Sequence, residues 1–315
     1  MSESNKRNFI VHGSILAIAG ILVRIIGMLY RIPVVNIIGS EGNGIYGAAF
    51  NIYNIMLVLS SYGLPMAVSK LVSARFTKKR YKSAAKVLRC SLMVAVCTGG
   101  IAALLVFFGA SFIENVIYGG GLPGLAIPLR ILAPTIFFVA ILGVIRGFFQ
   151  GQSTMIPTAV SQILEQIVNA IVSIAAGYGM MKAFASSPDV AAYGAAGSTL
   201  GTAMGALTAV LFMGFLYAVY TPTFNRLKRK DRHTENQSTG QICKIIIYTM
   251  IPIILGQTFY QISALIDDVM FSNIMVGRDI TKSISMDLGN FSSSYSLLIG
   301  IPQGVASCLL YTSDA

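Results

Sequence analysis

Residues 155–182 read MIPTAVSQILEQIVNAIVSIAAGYGMMK, and the placement of polar residues within this run decides the fold. At about 1.5 Å of rise per residue, the run is long enough to cross the ~30 Å hydrocarbon core of a bilayer as one helix. Gln162, Glu165, Gln166 and Asn169 stand at i, i+3, i+4 and i+7, which puts them in one stripe on an otherwise apolar helix. In lipid such a stripe has to look inward, because an ionisable group at mid-bilayer costs about 2.5 to 3.5 kcal/mol on insertion scales. The run therefore implies a bundle of membrane helices with a polar interior. Glu165 is the candidate either to neutralise an arginine when substrate is absent or to bind a coupling proton or cation; an interhelical hydrogen bond is its other reading.

The rest of the chain agrees. Of its 315 residues 55% are hydrophobic and 11% charged, whereas globular chains carry about 25% charged residues. Mean hydropathy is +0.71. So few polar side chains cannot cover a water-facing surface, which excludes a soluble enzyme. Apolar stretches of spanning length fall at 9–38, 44–68, 90–113, 125–149, 155–182, 193–220, 245–276 and 289–310. They predict an all-α polytopic membrane protein of about eight transmembrane helices. Lys70 to Arg89 holds eight Lys/Arg and Arg226 to Arg232 five, while the alternate connections GSEGNG, ENVIYGGGLP and SSPDV hold none. The positive-inside bias then places the amino terminus in the cytoplasm, with Lys6 and Arg7 leading into a retained first helix. Residues 70–89 interleave basic and apolar positions and predict an amphipathic helix on the inner membrane surface; the net charge of +11 is spent at lipid headgroups, so no nucleic-acid partner is expected.

Cys90, Cys97, Cys243 and Cys308 form no metal-ligating or disulfide pattern, and His12 and His233 stand apart from one another. No P-loop, GxSxG or HExxH occurs. The expectation is a protein that is not an enzyme and holds neither metal nor cofactor, with H+ or Na+ as a possible coupling ion.

Other charges at membrane depth narrow the function. In the first span Arg24 and Arg31 are nearly two turns apart and leave the same face, where forked guanidiniums suit an anionic group such as phosphate. Gly13, Gly20 and Gly27 run beside them as a close-packing stripe, and Pro33 is placed to bend the outer end. In the seventh span Gln257, Gln261 and Asp268 repeat one polar face, with Asp267 turned away. Arg146 lies near the cytoplasmic end of the fourth span as a headgroup anchor or inner gate. The segments SSYGLPMAVS and LLIGIPQGVA echo each other six helices apart, with Pro65 and Pro302 as candidate bending points. The predicted organisation is a first six-helix bundle over residues 1–220, a basic cytoplasmic linker over 221–244, and the start of a second, truncated bundle over 245–307. The terminal CLLYTSDA, residues 308–315, has the look of a non-native tail.

Two stretches carry a family resemblance: IIGSEGNGIYGAAFNIYNIMLVLSSYGLPMAVSKLVS at 37–73 and RGFFQGQSTMIPTAVSQILEQIVNAIVS at 146–173. They resemble the polysaccharide-transport branch of the multidrug/oligosaccharidyl-lipid/polysaccharide exporter superfamily, within it the stage V sporulation protein B group, relatives of the lipid II flippases. The resemblance implies MATE- and MurJ-like helical bundles around a V-shaped cavity. It also implies export of an undecaprenyl-diphosphate-linked glycan across the bacterial cytoplasmic membrane for peptidoglycan or another envelope polymer, with membrane lipids as the other partner and a monomeric state. Arg24, and with altered spacing Arg31, take the diphosphate-binding role that the resemblance implies. Asn169 stands where the sporulation group is expected to carry an arginine. The alternative is a cation-coupled drug antiporter of the MATE type, which would want acids rather than arginines in the cavity; a scaffold whose buried charges merely pair is the third reading.

Overall fold

The structure, a computed structural model, describes residues 3–232, 238–278 and 284–291. Among them the regular elements are helical: α1 Glu3–Leu57, α2 Leu64–Thr77, α3 Tyr81–Phe112, α4 Ala126–Gln150, α5 Ile156–Ala183, α6 Val190–Lys230, α7 Thr239–Val276 and α8 Ile284–Phe291, with π-helical turns at Val58–Tyr62 and Ile113–Ile117. Among the described residues six stretches are long and apolar enough to cross a membrane, and the chain is a multi-pass membrane protein.

α1 holds two predicted spans. Its backbone leaves helical geometry at Gly39 (φ 71°, ψ 176°), a left-handed conformation that glycine adopts without a Cβ penalty. The Arg31 guanidinium lies 5.8 Å from the centre of the Tyr46 ring, whereas a continuous helix would separate those residues by about 22 Å. The chain therefore folds back at Gly39. Pro33, expected to bend this region, sits inside helix; proline costs a helix one hydrogen bond, but only glycine allows the reversal. The eighth predicted span begins in α8, and Pro302 and the tail at 308–315 lie outside the described residues.

Two expectations change at the basic end of the bundle. Residues 70–89 are not one surface helix: α2 stops at Thr77 and α3 starts at Tyr81, with Lys79 in a left-handed conformation (φ 54°) between them. Each half of the segment is the end of a membrane helix, because Val72, Val87 and Leu88 are drawn into the core. Likewise α6 continues ten residues into the predicted linker, to Lys230, since Phe224 is buried against Phe76 and Phe148.

Two glycine ladders set the helix spacing, and both use the four-residue repeat that lets backbones approach closely in lipid. On α4, a Cβ at Gly143 would lie 3.1 Å from Pro65, one at Gly147 2.5 Å from the Pro65 carbonyl oxygen, and one at Gly151 2.8 Å from Val72. Pro65 is thus wedged against α4 directly after the π-helical turn. On α6, Gly197, Gly201 and Gly205 face Ala176, Asn169 with Ser173, and Glu165 of α5 in the same way. The second ladder holds the polar stripe of α5 in place.

At the opposite end, Glu114 accepts hydrogen bonds from the backbone N–H groups of Gly124 (3.0 Å) and Ala126 (2.7 Å). It satisfies donors at the start of α4 that no helical carbonyl reaches.

Candidate functional site

Three polar assemblies link the helices, and each is built from the packing just described. The first joins α4 to α5. Arg146 donates to Glu165 at 2.7 Å and, through Nε, to Ser161 at 2.9 Å; Ser161 in turn donates to the Thr158 carbonyl at 2.8 Å. Arg146 is 14% and Glu165 26% exposed, so the guanidinium turns into the bundle and does not reach out to headgroups. Among the described residues this is the one ion pair at membrane depth. Each charge offsets the other's desolvation in a low-dielectric setting.

The second assembly ties α1 to α5 and α6. Asn169, 8% exposed, donates to the Tyr30 hydroxyl at 3.2 Å and accepts from Ser173 at 2.9 Å. Ser173 also donates to the Ser198 carbonyl at 2.8 Å. Tyr30 lies near Tyr46, over whose ring Arg31 sits. The polar residues of α5 therefore divide. Asn169 is enclosed between helices as an interhelical clamp. Gln166 reaches towards α1, where a Cβ on Gly27 would lie 3.0 Å from its amide nitrogen. Gln162 remains half-buried.

The third assembly crosses from the first six helices to α7. Asn51 donates to the Asp268 carboxylate at 2.5 Å. Beyond it, Ser272 donates to the Tyr118 carbonyl at 2.9 Å and Asn273 to the Ile117 carbonyl at 2.8 Å. Asn43 donates to the Gly289 carbonyl of α8 at 2.8 Å. Gly44 and Gly289 allow this crossing, because a methyl group on either would collide with the carbonyl of Ser285 or Ser40. These contacts hold α7 and α8 against the first six helices at the Gly39 end. Gln257, Gln261 and Asp268 fall within about 40° of one another around α7, and the Asn51 contact turns that face towards the first six helices. Nearer the basic end a groove of about 430 Å³, lined by Met66, Lys70, Thr249, Pro252 and Ile253, separates α2 from α7.

Arg24 stands apart from all three. It is exposed and makes no ion pair among the described residues. Its direction is about 60° from that of Gly27, which touches α5, while Ile18, Ile21, Leu22, Ile25, Leu29 and Ile32 occupy the far, exposed side of α1. Arg24 is thus on the flank of the packed face. Arg31 shares that flank in sequence but is half-buried beside Tyr46. Sequence reasoning missed Tyr30, Tyr46, Asn51 and Ser161. The signal for Tyr46 was its place with Phe50 and Tyr53 at i, i+4 and i+7; none marked Asn51, whose role depends on a partner 217 positions away.

Taken together, these features define a helical membrane protein with inward-facing polar groups at the junction of a first bundle and the helices that follow it. Residues 10–311 match the family described as polysaccharide biosynthesis protein, and the chain belongs to that family. It is 34% identical over 176 residues to lipid II flippase MurJ and 30% identical over 210 residues to stage V sporulation protein B, both of Bacillus subtilis (strain 168). A third relative in that organism, the uncharacterized membrane protein YabM, is 26% identical over 295 residues. These matches cover 54%, 66% and 93% of this chain but 32%, 39% and 53% of the relatives. Among solved structures, a MOP superfamily transporter from Pyrococcus furiosus described as having a binding pocket of reverse polarity superposes with a TM-score of 0.64. That match has 16% identity and covers 96% of this chain and 68% of the other. An outward-facing multidrug resistance MATE family transporter gives 0.64 at 16% identity over 96% and 69%. The fold is that of the MOP superfamily.

Proposed function

We propose that this chain is part of a flippase that moves an undecaprenyl-diphosphate-linked glycan precursor, lipid II or a related unit, across the cytoplasmic membrane with its amino terminus inside. The observation that carries the reading is the balance of charge at membrane depth. Glu165 is neutralised by Arg146 and Asp268 is held by Asn51, whereas Arg24 is exposed with no ion pair among the described residues. A diphosphate cannot cross hydrocarbon unaided, since a buried charge needs a partner. A guanidinium without a carboxylate beside it offers that partner in forked geometry. The groove between α2 and α7, apolar apart from Lys70 and Thr249, suits a lipid tail left in the membrane while the head group passes. Movement of the second bundle against the first would expose the two sides by turns, with the Asn51–Asp268 contact parting as the Gly39 end opens. Family membership and the likeness to a lipid II flippase support the same reading.

A cation-coupled drug antiporter is favoured by one observation, a carboxylate at the junction between bundles, Asp268. Growth separates the two readings. In cells depleted of their own lipid II flippase, a version extended to the full length of its relatives should restore growth, and Arg24→Ala should abolish the rescue. Ethidium efflux that survives Arg24→Ala but fails with Asp268→Asn would overturn the flippase in favour of the antiporter. Loss of neither activity on either substitution would leave the buried charges as structural braces. Coupling to H+ or Na+ through Glu165 or Asp268, and action as a monomer, complete the proposal.

A further inference from the structure

A second basic site lies away from the path between bundles. At the end of the molecule that carries the Lys/Arg clusters, a pocket of about 350 Å³ is lined by Lys79, Tyr81, Leu227, Lys230, Asp231 and Arg232. That volume is at the lower end of the range for small-molecule sites. One wall is the turn between α2 and α3; the other is the last turn of α6 and the two residues after it.

The walls are fixed to each other. Asp231, 5% exposed, accepts a hydrogen bond from the Lys82 backbone N–H at 2.8 Å, so its carboxylate faces the start of α3, where unsatisfied N–H groups favour negative charge. Beneath the pocket Phe76 stacks on Phe224 (6.1 Å between centres, 5° between planes) and meets Tyr81 edge-on at 5.3 Å. Lys79 keeps a left-handed backbone. Three cations, Lys79, Lys230 and Arg232, border the space, and among the described residues none of them makes an ion pair. The lining thus combines three positive groups with one carboxylate already engaged by backbone. Repulsion among the three is relieved by an anion.

We propose that this pocket binds a phosphate group. A group at headgroup level can belong to an anionic membrane lipid or to a soluble phosphate compound, and the two sources offer the same oxygens to Lys79, Lys230 and Arg232. The site is independent of the transport reading, because none of its residues borders the groove between α2 and α7 or the polar assemblies of α4, α5 and α7.

The test uses the purified chain in detergent. Native mass spectrometry would compare phosphatidylglycerol with phosphatidylcholine, and calorimetry would titrate inorganic pyrophosphate. Each cation near a charged surface contributes about five-fold in affinity, so the triple variant Lys79→Gln/Lys230→Gln/Arg232→Gln should weaken binding by about a hundred-fold. The control triple Lys78→Gln/Lys228→Gln/Arg229→Gln removes the same charge from just outside the pocket and should keep most of the affinity. Phosphatidylglycerol retained by the wild type and lost from the first triple alone supports a lipid source. Pyrophosphate behaving that way without phosphatidylglycerol supports a soluble one. Equal losses in the two triples would mean a diffuse basic surface and overturn the pocket, as would binding of neither probe.

Discussion

Glu165 and Asp268 are both carboxylates on apolar helices, and the structure treats them differently. Glu165 on α5 is answered by an arginine on the neighbouring helix α4; Asp268 on α7 is answered by an uncharged amide on α1. A full ion pair suits a joint that stays closed, because separating it strands two charges in a low dielectric. A single hydrogen bond to an amide suits a joint that opens, since in membranes such bonds contribute about 0.6 kcal/mol on average. α4 and α5 are thus braced as a unit, while the polar contact of α1 with α7 is the weaker joint.

The brace is where substitution should cost most. Arg146→Met leaves the Glu165 carboxylate without its partner, a change that costs about 3 kcal/mol, the lower end of the range for broken buried pairs because Glu165 keeps 26% of its surface exposed. Thermal unfolding in detergent should show a clear drop for Arg146→Met and for Glu165→Ala. The double variant Arg146→Met/Glu165→Leu should recover much of it, since an apolar pair of similar volume replaces the ions. A double variant as unstable as the singles would mean that the pair is not a self-contained brace, and the contrast with Asp268 would fail.

The weaker joint is tested by proximity. In a background whose own cysteines are replaced, cysteines introduced at Ser40 and Ser285, beside the Gly44–Gly289 contact where α1 and α8 cross, leave both glycines in place, and their joining by a short bifunctional thiol reagent reports that crossing. Asn51→Ala removes the donor to Asp268, which should lower the equilibrium constant for the cross-linkable arrangement by about three-fold, the equivalent of about 0.6 kcal/mol for a hydrogen bond in a membrane. Asp268→Asn keeps an acceptor and should change it less. An unchanged yield in both would locate the closure in the Gly44–Gly289 crossing alone.

Much of this was legible in the sequence, and the limits have physical causes. Apolar runs and alternating basic loops declare membrane helices because lipid allows few other arrangements of backbone. The stripe on α5 was visible as a stripe, since helical spacing is local. Which neighbour each of its residues meets was not: Glu165 goes to Arg146 on α4 and Asn169 to Tyr30 on α1, choices made by the crossing of helices. The ladders at Gly143, Gly147 and Gly151 and at Gly197, Gly201 and Gly205 were readable as four-residue repeats, a stronger packing signal than the seven-residue repeat of Gly13, Gly20 and Gly27. The reversal at Gly39 falls at the start of GSEGNG, the connection expected between the first two spans, whereas Pro33, expected to bend the first span, sits inside helix.

Asn169 sharpens the contrast at its smallest scale. It lies one turn from Glu165 on the same stripe, yet it is uncharged and enclosed, with Tyr30 and Ser173 as partners. Its donor and acceptor are both used within the bundle, so Asn169→Ala should cost about 0.5 to 1.5 kcal/mol, a small downward shift in unfolding temperature. Because Asn169 belongs to the braced unit and not to the joint, the same variant should leave the Ser40–Ser285 cross-link unchanged. A loss of cross-linking with Asn169→Ala equal to that with Asn51→Ala would show that the interior of the first bundle and its contact with α7 move as one, and the distinction between brace and joint would have to be abandoned.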